Sequence, residues 1–123
     1  MLIEDSVHYK LNSAFDPEWN ALVPSYAFKT SNDNGPFTIT LFHQLHCLNI
    51  LRIDFAKLMN DTHDLSGDPS LRKHCLNYLR QTALCHGDLH IEPITEAGNT
   101  ERTHEYMCRD WTLIYDAVES VYR

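Results

Sequence analysis

Apolar residues recur at spacings of three and four between about Thr40 and Met59. Leu41, Leu45, Leu48 and Leu51 or Phe55 fall in register there, which predicts a helix. The polar run from Asn60 to Gly67 reads as a connection. A second helix is expected to start at Asp68-Pro69, with Asp68 as N-cap and Pro69 at the first helical position. It should run to about Cys85, with Gly87 as a natural stop. Residues 88–100 contain Pro93 and Gly98 and read as irregular. A third helix is expected from Glu101 or His104 to Tyr122, with His104, Cys108, Trp111, Tyr115 and Val118 as its inward stripe.

Residues 1–37 show no sustained period. Pro17, Pro24, Gly35 and Pro36 interrupt them, and Asn32-Asp33-Asn34-Gly35 is a turn signal. Trp19, Leu22, Tyr26 and Phe28 are the residues expected to tuck this stretch onto the body. Residues 37–41 suit either a short strand or a lead into the helix. The expected fold is therefore mainly α: a small single-domain helical bundle with an irregular N-terminal arm over 1–37 and a helical metal-binding body over 38–123.

The two helices share an internal repeat. His46-Cys47-Leu48-Asn49-Ile50-Leu51-Arg52 recurs as His74-Cys75-Leu76-Asn77-Tyr78-Leu79-Arg80, identical at six of seven positions with an offset of 28. Two leucine-rich helices that match by chance repeat leucines, not His, Cys, Asn and Arg together. The repeat predicts two related helices packed about an approximate twofold axis, with His46 opposite His74 and Cys47 opposite Cys75.

Composition then narrows the class. The chain has 123 residues, 43% of them hydrophobic, enough for one modest core, and folding at this size gains from covalent or metal cross-links. A formal charge of −7 with no basic run excludes a nucleic-acid footprint. No apolar stretch approaches the ~18 residues of a membrane span, and Met1 to Lys10 lacks an apolar signal core; a processed secreted chain has the same appearance. Asn60-Asp61-Thr62 is a glycosylation sequon, a weak pointer to a secretory route. Four cysteines permit three disulfide connectivities, against the alternative of four reduced, buried thiols. The expected pairing is Cys47–Cys75 and Cys85–Cys108.

Eight histidines supply the candidate chemistry. His43 and His46 stand three apart and so share a helix face. The repeat brings His74 to the opposing helix, where Leu71 stands in the position equivalent to His43. His43, His46 and His74 are thus the candidate metal ligands, the alternative being imidazoles that merely line a helix pair. Imidazole suits copper, zinc, iron and nickel alike, so ligand type does not select the metal. Cys47 and Cys75 are assigned a structural role, because a disulfide leaves no thiolate for an ion.

The order His43-Gln44-Leu45-His46-Cys47-Leu48, then His74 to Gln81, then Cys85-x-x-Asp88, then Cys108-Arg109-Asp110-Trp111, resembles the UstYa-like family of fungal biosynthetic proteins. The upstream Asp16-x-x-Trp19-x-x-Leu22-x-Pro24 also looks like that family, so the match spans roughly residues 16–118. The resemblance implies oxidative tailoring of a natural product, a peptide among the options, by macrocyclisation, desaturation, hydroxylation or halogenation. It also implies copper held by two His-x-x-His-Cys motifs. Leu71 departs from the second motif, and His104 lies four residues before Cys108 where the family's later element has two. Members typically carry an N-terminal membrane helix facing a secretory lumen, and often act in pairs. A trimmed, secreted or short form is expected here, in that pathway, either as a homo-oligomer or paired with a paralogue.

The leading expectation is a copper-dependent oxidase with Asp88 and His104 as catalytic proton-handling groups. His86 is a further candidate, whereas His63 and His90 are expected to be surface residues. The alternatives are a metal-free cyclase or isomerase using the histidines as acid–base groups, and a non-catalytic partner of a related oxidase.

Overall fold

The computed structural model describes residues 2–3, 6–25, 27, 30–31, 35–36, 38–60, 67–89, 91 and 104–122, with backbone only for residues 2, 3, 30, 31, 35, 36, 104 and 122. The fold is mainly helical. A 3₁₀ turn (Ser13–Phe15) leads into helix α1 (Asp16–Ala21), and α2 (Thr40–Met59), α3 (Pro69–His86) and α4 (Thr112–Tyr122) follow. Among the described residues, four two-residue strands form two antiparallel ladders: β1 (Leu2–Ile3) with β4 (His104–Glu105), and β2 (Thr30–Ser31) with β3 (Gly35–Pro36). The chain divides into two compact units, residues 7–88, and residues 1–6 with 89–123.

The first unit is built on α2 and α3. The α3 boundaries follow the expected chemistry. Asp68 accepts from the Ser70 backbone N–H at 2.8 Å and from its hydroxyl at 2.6 Å, and Pro69 opens the helix. Gly87 closes it at φ +22°, a conformation that favours glycine. Helix α2 starts without such a cap, since Ile39 offers no side-chain acceptor. His43 lies against Tyr78, and Asp54 is 3.6 Å from Arg72, so early α2 meets late α3 and the helices run antiparallel.

A disulfide joins Cys47 to Cys75, with their Cα atoms 4.9 Å apart, inside the usual range for such a bridge. The two cysteines occupy equivalent places in the repeat. Their small side chains let the helices approach closely, so the seam is buried there, with Phe42, Cys47 and Cys75 fully covered. Of the periodic residues of α2, Leu41, Leu45 and Leu51 are half-buried, while Leu48 and Phe55 are exposed. The covalent seam, not the leucine row, fixes which face turns in.

The stretch before α2 contains the 3₁₀ turn and α1 where an irregular arm is expected. It docks on α2 through Arg52, which is only 6% exposed. Arg52 Nε donates to Asn49 Oδ1 at 2.9 Å and Nη1 donates to the Leu11 carbonyl at 3.0 Å. Nη2 sits 2.7 Å from Asp16 Oδ1, a contact of opposite charges whose angle is too poor for a hydrogen bond. The guanidinium also lies 5.4 Å from the Trp19 ring. Trp19 is thus part of the docking, as expected, but a buried cation organises it. Tyr26 and Phe28 lie outside the described residues.

The second unit holds the β1–β4 ladder and α4. Here the expected third helix is corrected. It begins at Thr112, because the Asp110 carboxylate accepts from the Thr112 N–H at 3.1 Å and caps the chain at that point. His104 and Glu105 instead pair with Ile3 and Leu2. Of the expected stripe, Cys108 and Trp111 are exposed, and Tyr115 and Val118 are half-buried. Cys85 and Cys108, the other expected pair, are free, exposed thiols in different compact units, one in the last turn of α3 and one in the irregular run before α4. Among the described residues, no helix is long and apolar enough to cross a membrane.

Candidate metal centre

Three near-parallel rings gather where early α2 meets late α3. His43 Nε2 and His74 Nε2 are 3.4 Å apart. The His43 ring stacks on Tyr78 with centroids 4.1 Å apart and planes 24° apart. His74 and Tyr78 are 6.0 Å apart at 10°. Tyr78 follows His74 by four residues and so shares its helix face, and His43 meets that face from the opposite helix.

The nitrogen separation fits a shared ion. Two imidazole nitrogens, each about 2.0–2.1 Å from one ion at a tetrahedral angle, stand roughly 3.3 Å apart. A direct N–H···N hydrogen bond prefers a shorter distance, about 3.0 Å. Burial holds His43 below the ordinary imidazole range, reinforced by the neighbouring His74 and His46 rings. The neutral, lone-pair-bearing form that a metal requires is therefore favoured at this position.

Among the described residues, the ligand atoms of His43, Cys47 and His74 all lie within 4.8 Å of one another. Cys47 is bonded to Cys75, so its sulfur is not a thiolate donor while the bridge stands. His46 lies outside that group. It is exposed one turn along α2 from His43, near enough for its charge to bear on His43. His74 thus stands beside His43, the residue upstream of the repeat. Tyr78 was missed in the sequence. The signal was available: it is the one position at which the seven-residue repeat differs.

Asp88 is exposed just past the Gly87 cap. His104 is placed only by its backbone, opposite Ile3 in the other unit. His63 and His90 lie outside the described residues, as do Asp61 and Thr62 of the sequon; Asn60 is exposed at the end of α2. His86 lines an open groove of about 470 Å³ with Gln44, Leu79, Thr82 and Ala83. Its Nδ1 lies 2.9 Å from the Thr82 carbonyl, so Nδ1–H donates and Nε2 is left as an acceptor.

Residues 2–116 match the family described as mycotoxin biosynthesis protein UstYa. The UstYa family oxidase phomYb of Diaporthe leptostromiformis is 33% identical over 81 residues, covering 63% of this chain and 32% of that protein. The UstYa family oxidase phomYe of the same fungus is 30% identical over 142 residues, covering 87% of this chain and 48% of that protein. The oxidase ustYa of Aspergillus flavus is 34% identical over 80 residues, covering 62% and 37%. The chain thus spans about a third to a half of the length of these curated relatives. No solved structure matches it.

Proposed function

The chain belongs to the UstYa family, and from that premise we propose that it is a copper-dependent oxidoreductase of fungal secondary metabolism that tailors a natural product. Curated relatives named as oxidases support the reaction class. The observation that carries the site assignment is the 3.4 Å approach of His43 Nε2 and His74 Nε2 across two helices. His43 and His74 are the principal ligands, and His46, one turn from His43, completes a three-nitrogen set by rotation of its side chain. Copper bound there supplies one-electron chemistry with dioxygen.

The protein's own residues do the rest. The Cys47–Cys75 bridge fixes the separation of the two ligand-bearing helices. The groove beside Gln44 and Leu79, chain neighbours of His43 and Tyr78, holds part of the substrate. His86, with Nδ1–H committed to Thr82, accepts a proton at Nε2. Asp88 and His104 are each proposed to handle protons. The acidic balance of the chain favours a neutral or basic substrate, of which a peptide is one class. Work in the secretory pathway, as a homo-oligomer or with a paralogue, belongs to the same reading.

Paramagnetic resonance of the Cu(II)-loaded chain tests the site. Coupling to more than one imidazole nitrogen is expected in the wild type, with the His74→Ala signal reduced to that of loosely held copper. An unchanged His74→Ala spectrum contradicts the assignment.

A further inference from the structure

The two copies of the repeat build unequal halves of the helix pair. Advancing α2 numbers by 28 and reducing α3 numbers by 28 converts the His43–Tyr78 contact into Leu71–Ile50. Leu71 and Ile50 do lie together, lining a groove of about 210 Å³ with Ile53 and Asp54. The repeat differs internally at one position, Ile50 against Tyr78, and His43 upstream is matched by Leu71. These two differences, among others upstream of the seven-residue repeat, fall in a single pair of contacting residues. One half carries an apolar pair, and the other carries an imidazole stacked on a phenol.

We infer that Tyr78 is a positioning residue: its ring, stacked on His43, holds that imidazole where its Nε2 meets the Nε2 of His74. This rests on the reading of His43 and His74 as metal ligands. A helix-borne histidine has two rotatable bonds before its ring, and ordering them costs entropy when a ligand is bound. The stack at 4.1 Å restricts them beforehand. Aromatic pairs contribute enough beyond simple burial to change an affinity by roughly two- to tenfold. The ring and not the hydroxyl performs this task, so phenylalanine should replace tyrosine without loss. Isoleucine, the residue in the other half, should not.

The test uses the full chain with its disulfide intact, as Tyr78→Phe and Tyr78→Ile variants, and Cu(II) in competition with a chelator as the probe. Tyr78→Phe should match the wild type, and Tyr78→Ile should bind roughly two- to tenfold more weakly. Nuclear magnetic resonance of the metal-free proteins gives a second readout. The His43 ring protons should carry the upfield shift of a stacked neighbour in the wild type and in Tyr78→Phe, and lose it in Tyr78→Ile. Equal copper affinity in Tyr78→Ile and the wild type overturns the inference. So does equal weakening by both substitutions, or a His43 shift that survives Tyr78→Ile. If the wild type binds no copper, the metal reading fails, and with it the proposed role in copper binding; the ring shifts still decide whether Tyr78 orders His43.

Discussion

The first copy of the repeat, on α2, and the second, on α3, share six of seven residues yet serve different ends. In both, the arginine bonds to the asparagine three residues earlier: Arg52 to Asn49 at 2.9 Å, Arg80 to Asn77 at 2.9 Å. Beyond that bond they diverge. Arg52 is buried under the segment before α2 and holds Leu11, Asp16 and Trp19 to the helix, while Arg80 is exposed. The second copy instead contributes His74 and Tyr78 to the ring cluster. One helix thus anchors the chain that precedes it while giving His43 to the site, and the other gives His74 and Tyr78. Identical local sequence does not dictate identical use, because what covers each helix decides which of its residues matter.

The largest expected effect removes the joint both copies share. Replacing Cys47 and Cys75 together by serine opens a loop of 28 residues' separation. The loss should be roughly 3–4 kcal/mol in the chain-entropy account, read by denaturant unfolding under non-reducing conditions. A loss below about 1 kcal/mol would show that helix packing alone holds the pair, against that expectation.

The next effect separates the copies. Arg52→Ala removes the donor to the Leu11 carbonyl and to Asn49 Oδ1 and should cost about 1–3 kcal/mol. Arg80→Ala, at an exposed position, should cost less than about 0.5 kcal/mol. Equal losses in parallel unfolding experiments would erase the distinction drawn between the helices.

The smallest effect concerns the helix starts, since α3 has a side-chain cap and α2 has none. The Ser70 hydroxyl, then its backbone N–H, holds the Asp68 carboxyl below the ordinary carboxylate range. A carboxyl lowered in the folded state contributes stability that is fully present above its unfolded value and is lost as pH falls through the lowered one. Asp68→Ala should therefore be slightly less stable than the wild type at neutral pH, and the gap should close on strong acidification. A gap that stays constant across unfolding curves from neutral to acid pH would remove the charged cap from the explanation.

Much of this arrangement was legible in the sequence. The limits of α2 and α3 followed from periodicity, the Asp68-Pro69 start and the Gly87 stop, and the duplicated cysteines pointed to their bridge. The third helix was misplaced because a stripe through His104 and Cys108 ignored Asp110, whose carboxylate starts the helix later, while His104 and Glu105 pair with Leu2 and Ile3. Such long-range pairing leaves no local periodicity to read. The burial of Arg52 was hidden for a similar reason, since an arginine within a leucine-rich helix signals solvent unless its distant partners are known. For the site, spacing singled out His43 and the repeat singled out His74. The antiparallel crossing decides that these two meet, and repeat equivalence alone does not carry that information.

If one ion is held between α2 and α3 by His43 and His74, copper content after equilibrium dialysis will show it. The wild-type chain should retain one copper per chain by elemental analysis, and His43→Ala, folded and with its Cys47–Cys75 bridge intact, should retain none. A wild-type chain that keeps no copper, or a His43→Ala chain that keeps as much, would contradict the account.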